Sequence, residues 1–196
     1  MTRVISETNG VFGYTDRSIF HEKKLHTNLL RTIKAETGRS KEVFVKDFYS
    51  KYKEDYLPIW AMVEIISFNT LSKLFASLKD PLRVKIIKNI GVKPSVFQSW
   101  LHTLAYVRNI CAHHSRLWNK MLAIEPMIPK NQKLLHGLNN KKLFFMLTAI
   151  LFILNKLIDD GFDFKKEVKA LLNRYDFVDK DAMGFINNWK ECEIWQ

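Results

Sequence analysis

The sequence predicts an all-α protein, and three observations carry that expectation. Apolar residues recur at intervals of three and four along most of the chain. Only seven glycines and five prolines punctuate its 196 residues, and strand-like alternation is weak throughout. A chain of this length with 47% hydrophobic residues buries one substantial core, which suits one helical domain with a small appendage better than two full domains.

The elements follow from periodicity and from start and stop signals. Helices are expected near 20–36, at 41–55 behind a cap at Ser40, at 58–79 opening on Pro58, and at 81–90 with Gly91 as the stop. A long helix is expected from about residue 96, where Ser95 and Gln98 make an S-x-x-Q capping box just after Pro94. The segment "EPMIPKNQ", 125–132, holds two prolines in four residues and reads as a loop. The stretch "LFFMLTAILFILNKLI", 143–158, is short for a membrane span and suits a buried central helix near 140–159, ended by Gly161. Two weaker amphipathic helices are expected near 163–174 and 179–191. This divides the chain into a helical domain over 1–160 and a C-terminal helical appendage over 161–196, where charges alternate and aromatic residues scatter.

Charge and cysteine usage narrow the function classes. Lys plus Arg number 31 against 20 acidic residues, a formal charge of +11, which favours a polyanionic partner such as nucleic acid or an anionic membrane surface. The start, "MTRVISETNGVFGYTDRS", lacks the unbroken apolar core of a secretory signal. The two cysteines, Cys111 and Cys192, stand in unlike contexts without metal-ligand spacing, so neither a disulfide framework nor a zinc site is expected. A cytoplasmic protein with no membrane partner is the expectation.

The most informative stretch is "YVRNICAHHSRLWN", 106–119. Laid out at about 100° per residue, the long helix puts Phe97, Trp100, Leu101, Leu104, Val107 and Cys111 in one stripe, the expected core. Gln98, His102, Tyr106, Asn109, His113 and Arg116 form a second stripe opposite. Such a line of polar, titratable and aromatic groups differs from the Lys/Glu mixture of an ordinary solvated face. Arg108 falls within the apolar stripe, where a guanidinium needs a partner, a route to the surface or a nearby helix end. Trp118 in "LWNK" reads as a cap on the core.

Arg108-Asn109-x-x-x-His113 resembles the R-N-x₃-H form of the R-x₄₋₆-H signature of HEPN ribonucleases. The longer strings "SWLHTLAYVRNICAHHSRLWN" and "LPIWAMVEIISFNTLSKLF" (57–75) look like the Abi-like branch of that superfamily, bacterial abortive-infection proteins that act against phage. The resemblance covers about residues 12–160, and the branch's usual N-terminal helical region is without a counterpart.

The resemblance implies an endoribonuclease with no cofactor and no metal, acting as a homodimer in which motif helices of two subunits face each other. It implies His113 as the base, Arg108 as the phosphate clamp and Asn109 as an orienting group. The chemistry suits these residue types, because RNA supplies its own nucleophile in the 2′-hydroxyl. The protein then needs a proton acceptor and cationic donors where charge develops. Arg108 and His113 lie about 140° apart on an ideal helix, so one straight helix does not bring them together. A distorted helix end, a wrapping arginine or a second subunit is required, and the composite dimer site is the most economical.

Accessory RNA contacts are expected from His102, Tyr106, His114, Arg116 and Lys120. Each has a plainer alternative. Arg108 could pair internally with Glu64, His113 could bond a free helix-end carbonyl, His114 falls nearer the apolar edge and reads as structural, His102 and Tyr106 could line a dimer seam, and Arg116 and Lys120 could belong to a solvated basic face. The partners expected are therefore RNA, a second copy of the chain, and an antitoxin protein or small RNA. The competing function classes are a non-catalytic RNA-binding or antitoxin-bound subunit and a helical protein-interaction module.

Overall fold

A computed structural model describes residues 1–157 and 163–196. Its described residues form nine α-helices and no β-strand, with a single isolated bridge between Phe20 and Leu78. The chain folds as two compact units, Met1–Lys88 and Asn89–Gln196.

The first unit contains α1 (Thr2–Asn9), α2 (Lys23–Gly38), α3 (Val43–Lys51), α4 (Ile59–Ile65), α5 (Phe68–Ser77) and α6 (Asp80–Ile86). Ile5, Tyr14, Phe20, Ile33, Leu57, Ile59, Met62 and Leu74 pack together as its core. Burying the Tyr14 hydroxyl is tolerable because it donates to the Leu57 carbonyl at 2.7 Å. His26 is buried likewise, with Nε2 donating to the Tyr14 carbonyl at 3.1 Å and the ring stacked on Phe20 at 4.1 Å.

Two local expectations fail here for identifiable reasons. The single helix expected over 58–79 is two helices, because Ser67 breaks it by capping α5: its Oγ accepts the Thr70 amide at 3.2 Å. Glu36 of α2 reinforces the break, its carboxylate accepting from the Ser67 amide, the Ser67 hydroxyl and the Thr70 hydroxyl. The expected cap Ser40 instead accepts the Glu42 amide within a turn, and α3 opens after Glu42. Periodicity also passed over α1, which offers only Val4 and Ile5 as strongly apolar residues, although Ile5 is fully buried.

The second unit contains α7 (Pro94–Ala112), α8 (Leu143–Leu157) and α9 (Phe164–Arg174). The capping box at Ser95 and Gln98 does not form. The helix begins two residues earlier with Pro94 in its first turn, where a missing N–H costs nothing and the fixed φ suits the helix. Trp100 of α7 packs edge-on against Phe152 of α8 at 5.9 Å. The apolar segment over 143–157 is a core helix, burying Phe144, Phe145, Met146, Ala149, Leu151 and Phe152. No helix of the described residues is long and apolar enough to cross a membrane. The expected stop at Gly161 lies outside the described residues.

The helix expected over 179–191 is absent, replaced by isolated 3-10 turns at Asp181–Met183 and Trp189–Glu191. Gly184 interrupts it with φ +86°, and a Cβ there would meet Lys142 Cβ at 2.5 Å, so only glycine fits. That turn brings Phe185, Trp189 and Trp195 around Phe144 of α8. The Trp195 indole N–H finishes the packing by donating to the Thr148 hydroxyl at 3.1 Å.

Candidate functional site at the end of the motif helix

Ala105 of α7 is buried about 180° around the helix from Val96, and the main stripe that α7 buries runs through Val96, Trp100, Thr103 and Ile110. On a helical wheel its centre lies about 70° from the stripe centred on Leu104 and Cys111 that the sequence suggested. Two corrections follow. Cys111 is exposed rather than core, and Arg108 lies outside the buried stripe, exposed. The guanidinium therefore reaches the surface without a buried counterion, and it forms no ion pair among the described residues. It swings toward the polar side of the helix, where Nη1 donates to Asn109 Oδ1 at 3.4 Å.

The helix then stops abruptly. The His114 amide donates to the Cys111 carbonyl and the Ser115 amide to the Ile110 carbonyl, each at 3.0 Å. These are the two bonds of a Schellman closure. Such a closure needs a left-handed residue just past the cap, and His114 supplies it with φ +51°, where glycine is usual. His113 is the cap residue itself, with non-helical φ −93° and ψ 15°. The stripe expected to run on to Arg116 is thus cut at Ala112, and Arg116 and Lys120 belong to the segment that follows.

The structure accordingly sorts the sequence candidates. His102, Tyr106 and Asn109 share one side of α7 within about 60° of arc, with His102 and Asn109 exposed and Tyr106 half-buried. Arg108, Asn109 and His113 lie at the C-terminal end of the helix, all exposed. The His113 imidazole makes no hydrogen bond or ion pair among the described residues, so it does not serve the helix-end carbonyls. His114 acts through its backbone conformation. Arg116 stacks on Trp118, its guanidinium carbon 5.9 Å from the ring centroid. Trp118 does not cap the core, for 46% of it is exposed.

The segment after the helix, residues 113–142, has no α-helix, an unusual length for an irregular connection. It is tied down locally. The Trp100 indole donates to the Met127 carbonyl and the Met127 amide to Ser99 Oγ, both at 2.9 Å. The Leu122 amide donates to the Lys141 carbonyl at 2.8 Å, and Asn140 Nδ2 to the Pro126 carbonyl at 2.9 Å.

Charge along the sequence on either side of this helix end is more lopsided than the overall balance suggested. From residue 81 to residue 158 the only acidic residue is Glu125, against twelve Lys and Arg. Lys141 neutralises that one carboxylate at 2.8 Å. The feature was available from sequence as a gap in acidic residues around the motif. It matters because the C-terminal end of a helix carries partial negative charge, so an anion held there depends on side-chain cations. Among the described residues no three of His, Cys, Asp and Glu gather in a way that could hold a metal ion.

The fold and site together define a helical protein with an exposed Arg–Asn–His set at a capped helix end, carried in a stretch of sequence rich in Lys and Arg. The family comparison agrees in region and gives the identity: residues 1–119 match the model of the Abi-like proteins, and the chain belongs to that family. The match begins at residue 1 and closes at Asn119, a different span from the 12–160 drawn from the sequence strings, and it contains the whole of α7. Membership suggests a role in abortive infection against phage. No curated protein and no solved structure matches the chain at a significant level.

Proposed function

We propose that the chain is a metal-independent endoribonuclease of a phage-defence or toxin–antitoxin system, cutting RNA through attack of its own 2′-hydroxyl. One observation carries this reading: Arg108, Asn109 and His113 are all exposed at the end of one helix, with the imidazole unengaged and the guanidinium without an ion pair among the described residues. An ordinary surface turn gives no reason to gather these groups in a stretch nearly free of carboxylates.

In this mechanism His113 takes the 2′-hydroxyl proton as the oxygen attacks the adjacent phosphorus. The bond to the 5′-oxygen of the next nucleotide breaks, leaving a 2′,3′-cyclic phosphate, and the leaving oxygen takes up a proton from water. Arg108 holds the non-bridging phosphate oxygens as charge develops on them, and Asn109 keeps the guanidinium turned toward the site. A second subunit completes the cleft, since Arg108 and His113 diverge by about 140° along a helix, and His102 and Tyr106 lie along the seam. The proposal is tested by incubating purified protein with total RNA in EDTA and analysing the new ends. Cyclic phosphate termini support it, and 5′-phosphate termini contradict it.

A further inference from the structure

The exposed Trp118 has no part in the mechanism above, and its surroundings make it more than a stray surface aromatic. Single exposed apolar residues are ordinary, and Trp60, 53% exposed, is one of that kind, with no cation stacked on it among the described residues. Trp118 differs in three respects. Arg116 lies over its ring at 5.9 Å, which steadies the indole and adds a cation beside it. His114 and Asn119, with φ +51° and +50°, are the two non-glycine residues of positive φ among the described residues, and they bracket the segment carrying both side chains. And Trp118 follows His113 by five residues, so the two Cα atoms are at most roughly 18 Å apart.

A fixed aromatic face, a guanidinium against it and a cationic stretch around it are the parts of a single-strand nucleic-acid contact, in which bases stack on aromatics and phosphates meet cations. We propose that Trp118 is the stacking platform for one unpaired base of RNA whose backbone lies at the end of α7, and that the site therefore takes single-stranded rather than duplex RNA. This rests on the ribonuclease reading and adds the substrate's form to it. A duplex keeps its bases stacked on each other, so it offers nothing to the indole.

The test uses the full-length His113→Ala protein, which keeps the probe uncut, and a fluorescein-labelled RNA of about twelve nucleotides, within the usual single-strand site size. Trp118→Leu should weaken binding by about 5- to 150-fold, the range one base–aromatic stack provides, while Trp118→Phe stays near the parent. A series of probes with one abasic position each should contain a position whose loss weakens the parent similarly and leaves Trp118→Leu unaffected. The annealed duplex should bind less tightly and ignore the substitution. Equal binding by Trp118→Leu, or losses that add at every abasic position, overturns the proposal. So does a Trp118→Leu protein whose sedimentation mass or melting temperature falls together with its affinity, since that marks a subunit or packing contact. If RNA is still bound and cut in those cases, the ribonuclease reading stands without this addition. If the wild-type protein binds no RNA in any form, both fall together.

Discussion

The Ser115 amide donates to the Ile110 carbonyl at 3.0 Å, and with its companion bond from His114 to Cys111 it fixes where the motif helix ends. The closure acts after His113, whose own amide still donates to the Asn109 carbonyl. The histidine therefore stands at the cap one turn beyond Asn109, and the helix still sets it well around from Arg108.

The closure makes His114 a conformational residue, and its substitutions should separate accordingly. A β-branched residue is disfavoured in the left-handed region, so His114→Val should be less stable than His114→Gly by about 1–2 kcal/mol. His114→Gly should stay within about 1 kcal/mol of wild type and keep cleaving RNA. Urea denaturation of the three proteins checks the order. A large loss of stability in the glycine variant would assign the imidazole a structural contact.

Helix phase shows how much of this was legible in the sequence and why the rest was not. Apolar residues of α7 cover a wide arc, from Val96 and Ile110 through Leu104 to Leu101, and the pattern's centre falls on Leu104. The core centre falls on Val96 and Trp100, because α8 packs there through Phe152. Periodicity reveals that a helix has an apolar side, whereas the partner helix selects which part of it is buried. Arg108 falls within the apolar pattern for that reason and yet takes the route to the surface. The residue types of the site were legible, since exposed Arg, Asn and His are conspicuous whatever the phase. The helix end was not, because a histidine in a position usually given to glycine carries no stop signal. The turns after Gly184 escaped notice similarly, as their contacts with Phe144 and Thr148 come from far along the chain.

Glu36 predicts a stability effect that loss of charge alone does not explain. Its carboxylate accepts three hydrogen bonds at the start of α5, so Glu36→Ala should destabilise the protein by about 1–3 kcal/mol, the range for leaving such donors unmet. Glu36→Gln, which keeps one acceptor oxygen, should lose less. Chemical denaturation distinguishes them, and equal stability of all three proteins would show that Ser67 caps α5 unaided.

Burial holds the His26 imidazolium below its ordinary value, with Arg17 adding to the effect against the pull of the Tyr14 carbonyl and Asp16. The unfolded chain then binds more protons than the native one as pH falls, so stability must rise with pH across this interval. The contribution is complete above the unfolded value near 6.5 and is lost as pH drops from there through the lower folded value. Melting temperature should decline from about pH 7 toward pH 5, and His26→Gln should flatten that decline. An unchanged slope in the variant would place the sensitivity elsewhere.

The composite site predicts a homodimer. Sedimentation at micromolar concentration should give twice the chain mass of 23.1 kDa, and charge introduced into the seam, as in Tyr106→Glu, should lower both mass and cleavage. A monomer that cleaves RNA at full rate would show that one chain holds the whole site.

The central claim is that His113 moves a proton while Arg108 holds a phosphate, and the measurement that tests it most directly compares RNA cleavage and RNA affinity in His113→Ala. In EDTA the wild-type protein should cut RNA and leave intact a substrate carrying 2′-deoxyribose at the cut position. His113→Ala should lose about 10² to 10⁴ in rate, the contribution of one proton-transfer group, and bind RNA almost as well as before. Arg108→Ala should lose both, with affinity and its salt dependence falling together. Full cleavage by His113→Ala, or cleavage of the 2′-deoxy substrate, would contradict the mechanism.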